Sequence, residues 1–193
     1  MFSWAKFLTY ALITTATPGP NTLISLSTAS RLGLKRALPL NFGIWVGFSI
    51  VMILCTAFCR LLSSLIHTLE TPMLILGALY MLHLAWKTYK SPPALSEYDA
   101  RSGFWAGFTL QFVNPKIYIY CIVSMEAYIL PYFNDRPLIL FGFAMLLAFL
   151  GFILTVAWGA FGSVFKLLFS RYARTTNTVM ALLLVYCAIS LFL

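Results

Sequence analysis

Six stretches of this chain carry no charge, at 7–30, 37–59, 71–86, 102–115, 137–165 and 175–193, and the charged residues gather in the segments between them. A helix needs roughly 20 apolar residues to cross a bilayer, and four of the six stretches reach or approach that length. The other two borrow from their flanks. His83, Trp86 and Lys87 can snorkel at the end of the third, and the fourth extends in effect from Phe104 to Pro131, with Lys116 and Glu126 inside it. Only 9% of the 193 residues are charged and 61% are hydrophobic, whereas a soluble domain carries about 25% charged residues. The expectation is an all-α membrane protein with six transmembrane helices, residues 1–193 forming one integral membrane domain.

The basic residues set an orientation, because cytoplasmic loops collect Lys and Arg. Arg31, Lys35 and Arg36 follow the first span, Lys87, Lys90 and Arg101 surround the loop after the third, and Lys166, Arg171 and Arg174 separate the fifth from the sixth. Lys6, Arg60 and Arg136 are left for the other side, so both termini are expected outside. The same segregation accounts for the net charge of +8 without a nucleic-acid partner. There is no basic run to follow a phosphate backbone and no aromatic platform for bases. Lys6 followed by an apolar run resembles a signal peptide, but apolar character resumes at Leu23 and makes the segment membrane-length.

Two spans are broken by proline, at Thr17-Pro18-Gly19-Pro20-Asn21 and at Gln111-Phe112-Val113-Asn114-Pro115-Lys116. Pro18 and Pro115 lie 97 residues apart, half the chain length. Three helices per half require the second half to sit inverted, so the expected architecture is a 3+3 inverted repeat with helices 1 and 4 broken at proline. Repeat 1 covers about 1–90, a cytoplasmic connector about 89–103 with Ser91-Pro92-Pro93, and repeat 2 about 104–193.

Broken helices concentrate chemistry, since lipid offers nothing to unpaired backbone groups. Pro18 and Pro20 remove two donors, and helix 1 should stop near Thr15 or Ala16 and restart at Pro20, a favoured first helical residue. Helix 4 repeats the pattern with Asn114 as N-cap and Pro115 at the first position. Two helix N-termini and the Lys116 ammonium then converge and favour a carboxylate, while severed carbonyls can hold an ammonium group. The expected substrate-binding set is Thr17, Pro18, Gly19, Pro20, Asn21, Gln111, Asn114, Pro115 and Lys116. Thr14, Thr15 and Asn41 are further small polar candidates for the path. Lys116 is the candidate coupling group, because a charge at the helix centre costs about 2.5–3.5 kcal/mol and marks a polar site. Glu126, ten residues on and about 15 Å along a helix, is expected at an outer gate or interface.

Other features have packing explanations. Cys55, Cys59, Cys121 and Cys187 fall in predicted helices with no His or carboxylate beside them, which fits buried packing and neither a metal site nor a disulfide framework. A thiol-redox carrier would want a cysteine beside each proline break, and Thr22 to Thr28 has none. Two histidines and no metalloprotease-type motif leave little for an enzyme, and no cofactor is expected. Gly43 with Gly47, and Gly159 with Ser163, are small-residue faces for close helix approach. Trp4, Trp86 and Trp105 suit interfacial anchors. Beyond the bilayer, a small molecule and protons, the partner left open is a second copy in a homo-oligomer.

These motifs bring out a family. Thr17-Pro18-Gly19-Pro20-Asn21 near the start, six spans in about 190 residues, the basic loop after helix 1 and Asn114-Pro115-Lys116 resemble the LysE/RhtB family of bacterial amino-acid exporters. Tyr10-Ala11-Leu12-Ile13-Thr14, Leu110-Gln111-Phe112-Val113-Asn114 and Leu182-Leu183-Leu184-Val185-Tyr186-Cys187-Ala188 are most similar to its cysteine/O-acetylserine branch. The resemblance implies efflux of small amino acids or derivatives across the bacterial cytoplasmic (inner) membrane, driven by the proton gradient. Many members carry an acidic residue in helix 5, where this chain has Leu147-Ala148-Phe149-Leu150-Gly151, which argues against a lysine or arginine substrate. An organic-acid or other small-metabolite transporter and a non-transporting scaffold are the alternatives.

Overall fold

The computed structural model describes residues 2–90, 100–164 and 172–189, and every regular element among them is helical. The central part of the expected connector, 91–99, and the basic residues Lys166 and Arg171 lie outside the described residues, as does the side chain of Cys59.

Helix α1 runs Trp4–Ala16, with the Ser3 hydroxyl accepting from the Lys6 N–H at 3.5 Å. It ends where the Thr17 N–H and hydroxyl both donate to the Ile13 carbonyl, at 3.0 and 2.7 Å. After Thr17, Pro18 and Gly19, helix α2 (Pro20–Leu32) starts on proline, whose fixed φ and missing N–H suit a first helical residue. One residue, Gly33, turns the chain into α3 (Leu34–Ala57). Its φ of 87° is in the left-handed region that glycine enters without penalty, and its N–H closes α2 on the Ala29 carbonyl at 2.8 Å. Arg31, Lys35 and Arg36 cluster at this corner.

Phe58 alone separates α3 from α4 (Cys59–Tyr89). At 31 residues, α4 is far longer than the uncharged span 71–86. Backbone hydrogen bonds carry it through Arg60, His67 and Glu70, since a helix ends where its bonding pattern fails and not where charge begins. The second broken span consists of α5 (Ala100–Val113), Asn114 and α6 (Pro115–Val123). A π-helical stretch follows at Ser124–Ile129, then the short α7 (Leu130–Phe133). The long α8 (Pro137–Val164) and α9 (Ala173–Ile189) complete the described chain. Among the described residues two helices, Leu34–Ala57 and Pro137–Val164, are individually long and apolar enough to cross a membrane. Proline divides two of the uncharged stretches into helices of 13, 13, 14 and 9 residues, each too short to cross a membrane alone at 1.5 Å per residue.

Helix α3 is central and packs on both α5 and α8, while α2 lies on α8 and α4 pairs with α9. Glycine allows the closest approaches. A Cβ on Gly43 would run into the Phe104 carbonyl, one on Gly107 into the Leu40 carbonyl, and one on Gly47 would come within 2.7 Å of the Phe108 carbonyl oxygen. Across α2 and α8, a Cβ on Gly162 would sit 2.5 Å from the Leu26 carbonyl oxygen and one on Gly159 2.7 Å from the Ser25 hydroxyl. The expected face at Gly43 and Gly47 is thus a packing surface, and on α8 it is Gly162, not Ser163, that joins Gly159 in close approach. Two apolar cores result. One gathers Phe7, Phe48, Met52, Tyr120, Met125 and Leu147, and the other Leu23, Ile44, Met81, Leu110 and Leu184. Cys55 and Cys121 are buried in the first and Cys187 in the second. Trp4, Trp86 and Trp105 are exposed.

Candidate functional site

The two interruptions meet. Lys116, the first residue after Pro115, reaches across to Thr17, and its Nζ donates to the Thr17 carbonyl oxygen at 2.8 Å. Gly19 leaves room for this, because a Cβ there would stand 3.3 Å from Nζ. A second bridge runs alongside. Asn21 Nδ2 donates to Gln111 Oε1 at 2.9 Å, and Gln111 Nε2 returns a bond to Asn21 Oδ1 at 3.1 Å. Gln111 Nε2 also donates to the Gly107 carbonyl at 2.7 Å, so the fully buried Gln111 amide braces Asn21 against α5.

Beside these bridges lies an open cleft of about 420 Å³. Its polar lining comes from Thr14, Thr15, Thr17, Asn21, Thr22, Asn114, Lys116 and Thr155, and its apolar lining from Phe48, Ile117, Tyr120 and the bare face of Gly151, with Gly19 and Pro20 between. Phe48, Ile117 and Tyr120 belong to the first core, so that side of the cleft is held by packing. No acidic side chain is among the described residues that line it.

Six of the nine residues singled out in the sequence line this cleft: Thr17, Gly19, Pro20, Asn21, Asn114 and Lys116. Pro18, Gln111 and Pro115 act from outside the lining, as the helix breaks and the brace on Asn21. Asn41 is fully buried in α3 and does not line the cleft; a Cβ on Gly159 would lie 3.6 Å from its amide nitrogen. Glu126 is exposed in the π-helical stretch. Thr22, Phe48, Ile117, Tyr120, Gly151 and Thr155 were not anticipated. Tyr120 could have been found by following the helical face of Lys116 one turn on, whereas Ile117, the next residue, lies round the helix from it. Gly151 and Thr155 are themselves four residues apart on α8, but nothing local distinguishes them from core.

The two helix N-termini differ. At α6 the Asn114 side chain accepts from the Lys116 N–H at 3.2 Å, so the cap itself occupies that end. At α2 the Gly19 N–H donates to the Thr22 hydroxyl at 2.8 Å, and the first-turn amides of Asn21 and Thr22 have no intrahelical acceptor. The expectation that severed carbonyls stand open to an ammonium also changes. Ala16 receives Trp158 Nε1 at 3.2 Å, Thr17 receives Lys116, and Phe112 receives the Tyr118 hydroxyl at 3.2 Å. In a low-dielectric setting freed carbonyls recruit whatever donors the fold supplies.

The chain is similar along nearly its whole length to proteins named cysteine/O-acetylserine efflux protein. The one from Klebsiella pneumoniae is 40% identical over 186 residues, covering 96% of this chain and 94% of the relative. That from Salmonella typhimurium is 39% identical over 195 residues, and that from Escherichia coli K12 38% over 193, each covering 97% of this chain and 96% of the relative. No solved structure matches. The family model of the LysE type translocators matches residues 12–193, and with relatives this close over this length the chain belongs to that family.

Proposed function

We propose that this protein is a secondary active exporter of small neutral amino acids or their derivatives, of the cysteine and O-acetylserine kind. It would act in the bacterial inner membrane, with six crossings in a 3+3 inverted repeat, both termini outside, and the proton-motive force as its drive. The observation that carries this reading is the Lys116–Thr17 contact, which brings both helix breaks to one cleft. The pairing of α3 with α8 and of α4 with α9, elements that hold equivalent places in the two halves, supports the repeat.

In this reading the substrate carboxylate takes the α2 N-terminus, where the Asn21 and Thr22 amides and the helix dipole favour an anion, with the Lys116 ammonium beside it. The threonine hydroxyls of the lining accept from the substrate ammonium. A lining without a carboxylate offers a cationic side chain no partner and so favours neutral substrates. Lys116 is the coupling group in this proposal, because release from the Thr17 carbonyl is a change that loss of its charge can drive.

Release of preloaded labelled cysteine, O-acetylserine, threonine and lysine from proteoliposomes tests this, with and without an imposed pH gradient, for the native protein and Lys116→Met. Gradient-driven release of the first two, lost in the variant, is expected. Pairing of one cation with no acidic lining residue also suits a simple organic acid. Competition by a simple monoacid such as propionate separates the two readings, because only a site that needs both carboxylate and amine ignores it.

A further inference from the structure

Tyr120 lies one helical turn beyond Lys116 and lines the same cleft. It is 2% exposed, and its hydroxyl is buried without a hydrogen-bond partner. Buried tyrosine hydroxyls ordinarily find one, and this one belongs to a residue that lines an open cleft. Side chains leave a helix tilted toward its N-terminus, so the Tyr120 ring leans over the turn of Lys116 and Ile117, both of which line the cleft. The ring is also clamped. Tyr10 stacks on it with centroids 6.2 Å apart and 17° between planes, Phe48 stands at 6.0 Å, and Tyr10 is in turn stacked on Tyr128 at 5.2 Å. Among Phe48, Ile117, Tyr120 and Gly151, the apolar share of the lining, this hydroxyl is the one side-chain polar group.

We infer that the Tyr120 hydroxyl reads the end of the substrate's side chain, donating a hydrogen bond to a thiol sulfur, a hydroxyl or an ester carbonyl oxygen. It thereby selects amino acids with a neutral polar side chain over apolar ones of equal size. The inference rests on the exporter reading and adds to it a residue that determines specificity. Lys116 and the α2 N-terminus recognise what all amino acids share, and Tyr120 recognises what distinguishes them. A carbonyl oxygen accepts better than a thiol sulfur, so the effect is larger for O-acetylserine than for cysteine.

The test compares native protein and Tyr120→Phe in proteoliposomes loaded with matched pairs: O-acetylserine against norleucine, and cysteine against 2-aminobutyrate. The expected result is a fall of about tenfold for O-acetylserine, a smaller fall for cysteine, and unchanged or faster release of the two apolar analogues. Thermal stability of the purified variant should hold or rise, because the hydroxyl removed had no partner to lose. Equal loss for all four substrates with lowered stability would make Tyr120 a packing residue and overturn the inference, as would an unchanged preference within each pair. Native protein that releases none of the four fails the exporter reading itself, an outcome separate from either of these, and the inference falls with it.

Discussion

Lys116 Nζ donates to the Thr17 carbonyl oxygen at 2.8 Å across 99 residues of sequence, so one hydrogen bond ties the interruption of the first broken span to that of the second. The donor sits immediately after one proline and the acceptor immediately before another. Each proline does local work in ending a helix, and the two together create the long-range contact, because an unpaired carbonyl and a half-buried ammonium each need what the other supplies.

Lys116→Met removes that donor and its charge together. Loss of this charge-assisted hydrogen bond destabilises by about 1.5–3 kcal/mol, while removal of a half-buried ammonium offsets it, so thermal stability in detergent should change by only a few degrees. Gradient-driven efflux should fall more than tenfold. A variant that keeps native efflux would remove Lys116 from both recognition and coupling.

Asn21 and Gln111 exchange two hydrogen bonds and should behave as a unit. Gln111→Ala strands the Asn21 amide, and Asn21→Ala leaves the buried Gln111 Oε1 without its donor while Nε2 keeps the Gly107 carbonyl, so each single change should cost about 1–3 kcal/mol. The double variant should cost clearly less than their sum, with a coupling of about 1 kcal/mol. Additive losses in a thermal-unfolding cycle would mean that the two amides do not act together in the membrane.

Gly43 and Gly107 let the backbones of α3 and α5 touch. Gly43→Ala drives a methyl into the Phe104 carbonyl, and since backbone cannot rotate away as a side chain can, the helices must separate. A loss of about 1–3 kcal/mol or more is expected. Gly142→Ala supplies the comparison, because nothing lies within 4 Å of a Cβ there and alanine is the better helix former. Melting temperatures of the two variants in one detergent should diverge, Gly43→Ala downward and Gly142→Ala level or upward.

Proline chemistry is local, which is why Ala16, Pro20, Asn114 and Pro115 could be assigned as helix limits from the chain itself and appear as such in the structure. Lys116 was legible for a similar reason, as the one basic residue in an apolar run. Gln111 and Asn41 show where that reasoning ends. Both looked like polar groups facing a path, yet one braces Asn21 and the other is wholly buried in α3. A polar side chain in an apolar helix must point to something, but its partner lies on another helix whose rotation the sequence does not state. Likewise Gly151 and Thr155 reach the cleft only because α8 lies across α2 and α3. The third span misled in its extent, since charge marks where a helix leaves apolar surroundings and α4 continues past that point.

Gly151 gives the cleft its width beside Phe48. A Cβ at 151 would collide with Cε1 of the Phe48 ring and approach its Cδ1 to 3.0 Å. Phe48 is 4% exposed and packed among Met52, Tyr120 and Leu147, so it has little core space into which to retreat. Gly151→Ala therefore pushes the ring toward the cleft and removes volume from its apolar side. In the exporter reading the longer substrate suffers more. O-acetylserine release should fall about tenfold, and cysteine, which ends sooner, by less than threefold, in keeping with the 1–3 kcal/mol cost of overpacking. Phe48→Leu in the Gly151→Ala background restores the missing space and should recover O-acetylserine release. Initial rates for both substrates in native, single and double variants check this, and equal slowing of both with no rescue would mean that Gly151 serves only helix packing.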